Sequence, residues 1–380
     1  MARAEVMTAH QRYVATLTFG APDRVFFFPG VPRRSTIRAW NAQGLAEGRA
    51  WPEALCAEAG LPPEAIAPMA DPGVDTRMIP QFEERVLERR DGHLVVQDWK
   101  GNVVEISDQF DVACLRDAVD FVTRRWIKLP VEGRADWAAM KQRYDPDAPG
   151  RYPADFAERC RRLRAGPCVV RLSFRGPFDQ LREWVGFERL CELLLDDPAL
   201  VHEMVGFWTG FVSRTLRRLL DARVLDVVYV NEDMAYKAHS MISPAMTREF
   251  LKPAWDHWAR EFHEAGVPVV NLDSDGQVAE LIPLWIESGF NCCYPVEVAA
   301  GNDIAEYRRR FGRQMAYIGG VDKRAMAKGG KVIENELARI EPVIRSGGYI
   351  PGCDHGVPPD ISWPDFVRFA RLLAGMTGWL

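Results

Sequence analysis

The chain of 380 residues predicts an α/β fold of the closed-barrel kind, a (β/α)8 TIM barrel with an N-terminal helical and hairpin extension. One observation is a unit that recurs between Leu225 and His355: an apolar run, an abrupt polar ending, a helix-like segment, a glycine, and another apolar run. The runs are short and lack two-residue alternation, as parallel strands covered on both faces require. The second observation is that each run ends in ionisable residues, as it would if every loop opened onto one mouth; this favours a barrel over an open doubly wound sheet.

The runs, in order, are Val227–Asn231 leading to Glu232-Asp233, Val267–Leu272 leading to Asp273-Ser274-Asp275, Phe290–Tyr294 leading to Glu297, Met315–Ile318 leading to Asp322, and Tyr349-Ile350 leading to Cys353-Asp354-His355. Ser243-Pro244 reads as an N-cap with proline at the first helical position, and Asp303 with Glu306 as a capping box. Gly266, Gly289, Gly312 and Gly347 stand where a helix ends before the next strand. Upstream, Cys168–Phe174 is a further apolar run, interrupted by Arg171 and closed by Arg175. An arginine there is costly unless it is paired or reaches water. Asp197-Pro198 opens a long helix to about Leu220, and Ser362 with Asp365 opens a closing helix.

Residues 1–20 read as a helix and Asp23–Phe28 as the first barrel strand, with Arg33 and Arg34 just beyond it. His93 to Ile106 reads as a hairpin turning at Lys100-Gly101-Asn102 and covering the barrel mouth. The organisation expected is residues 1–164 as an extension that contributes the first strand, and 165–380 as the main barrel.

Charged residues make up 27% of the chain and the net charge is −5, which gives no basic surface for nucleic acid. No run approaches the roughly 18 apolar residues that a bilayer span needs, and the N-terminus shows no signal-peptide pattern. A cytoplasmic protein is expected. The eight cysteines form no CxxC pair, and Cys292 and Cys293 are too close in sequence to bond each other without strain, so reduced thiols are expected. Walker, GxGxxG, HExxH and GxSxG motifs are absent, which leaves nucleotide and serine-hydrolase chemistry without support.

Gathered at one mouth, Glu232, Asp233, Asp273, Asp275, Glu297, Asp322 and Asp354 would repel one another unless protons, cations or a metal compensate. A thiolate, an imidazole and carboxylates suit zinc, with one position open to water or substrate. The candidate ligands are Asp273, Asp275, Cys353 and His355, a turn after Pro351-Gly352 allowing the last two to converge. The competing structural roles are helix capping for Asp275 and ion pairing to Lys237 or Lys323 for Glu232 and Asp322. Cys292 and Cys293 read as core thiols.

Asn231-Glu232-Asp233-Met234-Ala235-Tyr236-Lys237, Ile242-Ser243-Pro244, Asp273-Ser274-Asp275-Gly276, Tyr294-Pro295-Val296-Glu297, Ile318-Gly319-Gly320-Val321-Asp322-Lys323 and Pro351-Gly352-Cys353-Asp354-His355 resemble the uroporphyrinogen decarboxylase superfamily. The resemblance is close over 165–378 and looser at Asp23–Trp40 and Pro80–Gly101. It implies a (β/α)8 barrel and one of two chemistries. One branch decarboxylates uroporphyrinogen without a cofactor. The other holds zinc methyltransferases that work with cobalamin, which would reach this chain on a separate corrinoid protein.

The sequence departs from both branches. Pro29-Gly30-Val31-Pro32-Arg33-Arg34-Ser35 stands where the decarboxylases carry an arginine-rich segment, and Asp273-Ser274-Asp275 stands where coenzyme M methyltransferases show His-x-Cys. The resulting expectation is metal-assisted methyl transfer from a small methoxylated substrate, as in an O-demethylase component. Decarboxylation is the alternative, and a barrel reduced to a binding protein a third reading. Glu232, Asp273, Glu297, Asp322 and His355 are expected to carry the chemistry, and Arg33, Arg34, Arg175, Tyr236 and Lys237 to hold substrate. Neither nucleic acid nor membrane is expected as a partner, and a homodimer stays open.

Overall fold

Every apolar run of the recurring unit becomes a strand in the computed structural model, which describes residues 6–116 and 122–380. The first five residues of the expected N-terminal helix lie outside the described residues; the helix itself, α1, spans Ala9–Leu17, with Thr8 as its N-cap. The chain divides into two compact units, each discontinuous in sequence. The first comprises Met1–Pro72, Asp155–Arg175 and Leu219–Leu380, and the second Gly73–Ala154 and Gly176–Arg218. The division expected at 164/165 therefore falls inside the first unit.

The first unit is built on seven parallel strands that follow one another in sheet order as they do in sequence. They are β1 (Met69–Ala70), β2 (Val169–Arg175), β3 (Val227–Asn231), β4 (Val269–Asp273), β5 (Cys292–Tyr294), β6 (Ala316–Val321) and β7 (Tyr349–Cys353). Sequential parallel order is what successive βα crossovers of one hand produce. Ser243 accepts from the Met246 N–H and Asp303 from the Ala305 N–H, so both cap their helices, but Glu306 pairs with Arg310 instead of completing a box. Gly289 takes φ +97 and Gly347 φ +77, left-handed conformations that end their helices at no steric cost.

The sheet is curled. Val169, Val227, Tyr229, Val269, Cys292, Ala316, Ile318 and Ile350, drawn from β2 to β7, pack into one interior cluster with Phe26 and with Tyr13 and Leu17 of α1. Residues of the other parity face the helices; Phe174, for example, meets Trp258 edge to face with ring centroids 5.1 Å apart.

The expected strand at Asp23–Phe28 is a correction: the segment is extended but forms no strand. Phe26 and Phe27 are buried, and the chain runs beside β7, where the Cys353 N–H donates to the Pro29 carbonyl. Pro29 and Pro32 have no N–H to give to a ladder, so pairing does not propagate. Of the expected (β/α)8 barrel, the described residues form seven parallel strands in order, with β1 reduced to two residues.

The second unit carries a four-stranded antiparallel sheet of Arg85–Arg90, His93–Gln97, Val103–Ser107 and Arg124–Lys128 around Leu94, Val96, Val104 and Ile106. The expected hairpin is its central pair. Asp98 builds the turn, its carboxylate accepting from the N–H groups of Lys100 and Asn102. A second apolar centre, of Trp137, Tyr144, Trp184 and Trp208, packs among the helices. Among the described residues no helix is long and apolar enough to cross a membrane, and all eight cysteines are free thiols.

Candidate active site

Register sets the floor plan of the site. Arg175, Asn231, Asp273 and Tyr294 are paired across β2 to β5, and Val321 with Cys353 across β6 and β7. The loops that follow these ends are tied together by their own backbone. The Glu232 N–H donates to the Asp273 carbonyl at 2.8 Å, and the Met234 N–H to the Ser274 hydroxyl at 3.0 Å. Gly276, at φ +80, lies so close to the β3 loop that a Cβ there would sit 2.5 Å from the Ala235 carbonyl. Only glycine permits that approach.

Against this frame lies a cavity of about 360 Å³ lined by Tyr236, Lys237, Asp275, Gly276, Glu297 and Arg324, among others. Asp275 is held in its wall by His355, whose Nε2 is 3.0 Å from Asp275 Oδ2. The other ring nitrogen, Nδ1, accepts from the Gly356 N–H at 2.7 Å and faces the Arg33 guanidinium at 3.4 Å. Two donors on Nδ1 place the ring proton on Nε2, pointing at the carboxylate. The hydrogen bond to Asp275 raises the imidazole pKa, with burial acting the other way. His355 and Asp275 therefore form a couple in which the Nε2–H donates to the carboxylate.

Glu297 forms a second node. Its Oε1 accepts from Lys323 Nζ at 2.6 Å and its Oε2 from the Gly276 N–H at 3.3 Å. Burial pulls the Lys323 pKa down, but Asp354 and Glu297 outweigh it and hold the ammonium above its ordinary value. Asp354 is fully buried, accepts from the N–H groups of Val298 and Lys323, and is pushed up to about 6 by burial against the pull of Lys323.

The remaining expected residues separate. Glu232 is wholly buried and accepts from Trp255 Nε1 at 2.5 Å, so it anchors a helix rather than lining the cavity. Asp322 caps the helix Lys323–Lys328 and pairs with the Arg324 guanidinium at 2.8 Å, not with Lys237 or Lys323. It reaches the cavity only by steadying Arg324. Arg33 adjoins His355, Arg175 is half-buried at the end of β2, and Arg34, Tyr236 and Lys237 are exposed.

Asp273, Asp275, Cys353 and His355 are not assembled as metal ligands here. Among the described residues no group of three or more His, Cys, Asp and Glu is placed to hold a metal ion. Cys353 is buried beside Gly30, and burial first, then Asp354, pushes its thiol well above the ordinary value. Both ring nitrogens of His355 are engaged. As arranged, these four side chains do not fit a zinc ion.

Several residues escaped the sequence reading. Tyr294 is half-buried near Asp273, Tyr229, Cys353 and Asp275, and burial followed by Asp273 keeps it a neutral phenol. Asn231 donates to the Ser173 hydroxyl at 2.9 Å, and Arg324 lines the cavity. Counting every second residue back from each strand end would have found Tyr294, Asn231 and Ser173; nothing local marks Arg324.

The class so defined is that of α/β proteins with a curled parallel sheet and a cavity lined by ionisable side chains at its strand ends. The family model described as "Uroporphyrinogen decarboxylase (URO-D)" matches residues 119–371, about two thirds of the chain, and the protein belongs to that family. A relative named uroporphyrinogen decarboxylase, from Nocardia farcinica (strain IFM 10152), is 29% identical over 179 residues. That match covers 46% of this chain and 48% of the relative, so the chain spans about half the length of the relative it matches. A solved structure described as a methyltransferase from Methanosarcina mazei superposes with TM-score 0.59 over 97% of this chain and 98% of the other. At 15% identity the two share a fold.

Proposed function

We propose that the chain transfers a methyl group from a small methoxylated substrate to a cobalamin carried by a partner corrinoid protein. The observation that carries the reading is the Asp275–His355 couple on the cavity wall. Breaking an O–CH3 bond leaves an electron pair on oxygen, which calls for a proton or positive charge at that atom. The Nε2–H of His355 fixes the Asp275 carboxylate in the cavity wall, and the Lys237 ammonium that lines the same cavity can give the leaving oxygen its proton. Lys237 and Arg324 line the same cavity and supply positive charge. Glu297, fixed by Lys323, faces them and sets a polar wall that suits a small neutral ether better than a polyanionic macrocycle. A partner-borne cobalamin would supply the methyl acceptor. The fold shared with the Methanosarcina methyltransferase supports the reading.

No step is assigned to zinc, because Asp275 and His355 bond each other and the four side chains expected to hold it are not gathered as ligands among the described residues. Metal analysis tests that directly. One zinc per chain, lost on Cys353→Ala, would require the Asp275–His355 couple to open and would add a Lewis acid to the site.

Decarboxylation is the second reading, favoured by the Nocardia relative. There the Lys237 ammonium, beside the carboxylate that His355 fixes, would protonate the carbon left by departing carbon dioxide. Purified protein offered cob(I)alamin with methoxylated aromatic compounds should form methylcobalamin, and Asp275→Asn should not. Carbon dioxide from uroporphyrinogen, without methylcobalamin from any ether, would overturn methyl transfer in favour of the alternative.

A further inference from the structure

We propose that the chain binds a small organic phosphate in a second cavity, at the N-terminal ends of the parallel strands, where Arg164 and Arg223 hold the phosphate group. The site is separate from the mouth and does not depend on the methyl-transfer reading.

The cavity encloses about 520 Å³, against about 360 Å³ at the mouth. It is lined within the first unit alone, by the opening turn of α1, by residues that lead into β2 and β3, and by Gly266 and Pro268 ahead of β4. Ligand sites generally occupy roughly 300–1,000 Å³, so there is room here for more than a single ion.

The polar groups around this space are mainly donors. Asp226, the carboxylate of the wall, is already committed: one oxygen bonds His10 Nδ1 and the other accepts from the Val170 N–H at 2.7 Å. Arg164 gives one nitrogen to the Ala222 carbonyl, and Arg223 one to the Glu264 carbonyl at 3.3 Å, so each guanidinium is tethered to a helix end. A guanidinium has five N–H donors. Among the described residues neither of these two meets a carboxylate, and both are exposed.

A cation that only offset the carbonyls of a helix end could stand anywhere in the last turn. Arg223 stands instead at φ +49, a left-handed conformation at the end of the helix Pro198–Ala222, where glycine carries no steric cost. What arginine adds over glycine at that position is its guanidinium. Its Nη1 lies 3.6 Å from the point that a Cβ on Gly266 would occupy, so the fork spans the wall from the entry of β3 toward that of β4.

The ligand's chemistry follows from this inventory. Thr8, His10 and Gln11 belong to the N-terminal end of α1, which carries positive partial charge and favours anions. Together with two guanidiniums it offers more positive charge than one carboxylate would use. A phosphate monoester, with about −1.5 to −2 charge and three acceptor oxygens, matches it better. Val14, Leu163 and Val224 leave an apolar wall for the organic part.

Calorimetric titration of the full chain with phenyl phosphate, and separately with inorganic phosphate, tests the proposal. Phenyl phosphate should bind saturably, and Arg223→Gly and Arg164→Gln should each weaken it roughly tenfold or more, as loss of a charge-assisted bond implies. Glycine suits the backbone at 223; should that variant still fail to fold, Arg164→Gln carries the comparison. Arg324→Gln, which alters the mouth cavity, should leave this binding unchanged. No saturable binding of phenyl phosphate, binding that survives both floor substitutions, or binding lost with Arg324→Gln alone overturns the site. Inorganic phosphate bound as tightly as phenyl phosphate would overturn the organic part of the proposal.

Discussion

At the N-terminal ends of the parallel strands, α1 packs on the sheet through interlocking rings and paired charges. Tyr13 of α1 meets Phe26 edge to face at 5.1 Å, and Arg12 holds both carboxylate oxygens of Asp23 at 2.8 Å. His10 bonds Asp226, which in turn accepts from the Val170 N–H. At the C-terminal ends, within the same strands, carboxylates are crowded around a cavity and held only in couples, Asp275 by His355 and Glu297 by Lys323. The difference teaches where stability and chemistry have been separated. Paired contacts hold α1 against the floor, while ionisable groups kept near water and near one another are retained at the mouth, where their proton affinities are open to use.

Changes at the two ends should therefore affect different measurements. The largest effect is expected from Asp275→Ala: removal of a side chain that takes part in the proton transfer should cost about 10²–10⁴ in kcat. The melting temperature should hardly change, because the carboxylate is already 39% exposed. A collapse of stability instead of rate would erase the contrast. Next comes Tyr13→Ala on the floor. Loss of a fully buried ring should cost about 3–5 kcal/mol in denaturant unfolding, while turnover per folded molecule stays the same.

The Arg12–Asp23 pair sharpens the comparison through pH. The Arg12 hydrogen bond outweighs burial and holds the Asp23 pKa below its ordinary 3.8. Its contribution is therefore fully present above that value and disappears as pH falls through the lower folded-state value. Asp23→Asn should cost about 1–3 kcal/mol at pH 7 and little in strong acid. An equal loss at both pH values would show that the charge is not what matters. The smallest effect is expected at Asp322→Ala, where loss of an N-cap costs about 1 kcal/mol and activity falls only as far as Arg324 drifts. A large drop in kcat with unchanged stability would return Asp322 to the catalytic set.

Much of this was legible in the sequence. The strands, the caps at Ser243, Asp303 and Ser362, and the closing glycines depend on residues within one turn or one strand, so periodicity and capping chemistry revealed them. The sorting of the strand-end acids was not legible. Glu232, Asp275 and Asp322 look alike in sequence, each a carboxylate just past or near an apolar run. One is buried against Trp255, one faces the cavity with a histidine, and one caps a helix.

The sequence by itself determined the order of strands and helices and the gathering of polar residues at one end, because short-range sterics and hydrophobic burial dictate both. Only the tertiary structure decided which partner each polar group found: Asp275 with His355 across 80 residues of chain, Lys323 with Glu297 across 26, and Arg171 over Tyr229 on the neighbouring strand. Electrostatic pairing depends on distances through space of a few ångströms, and no local pattern encodes those distances until the sheet has curled.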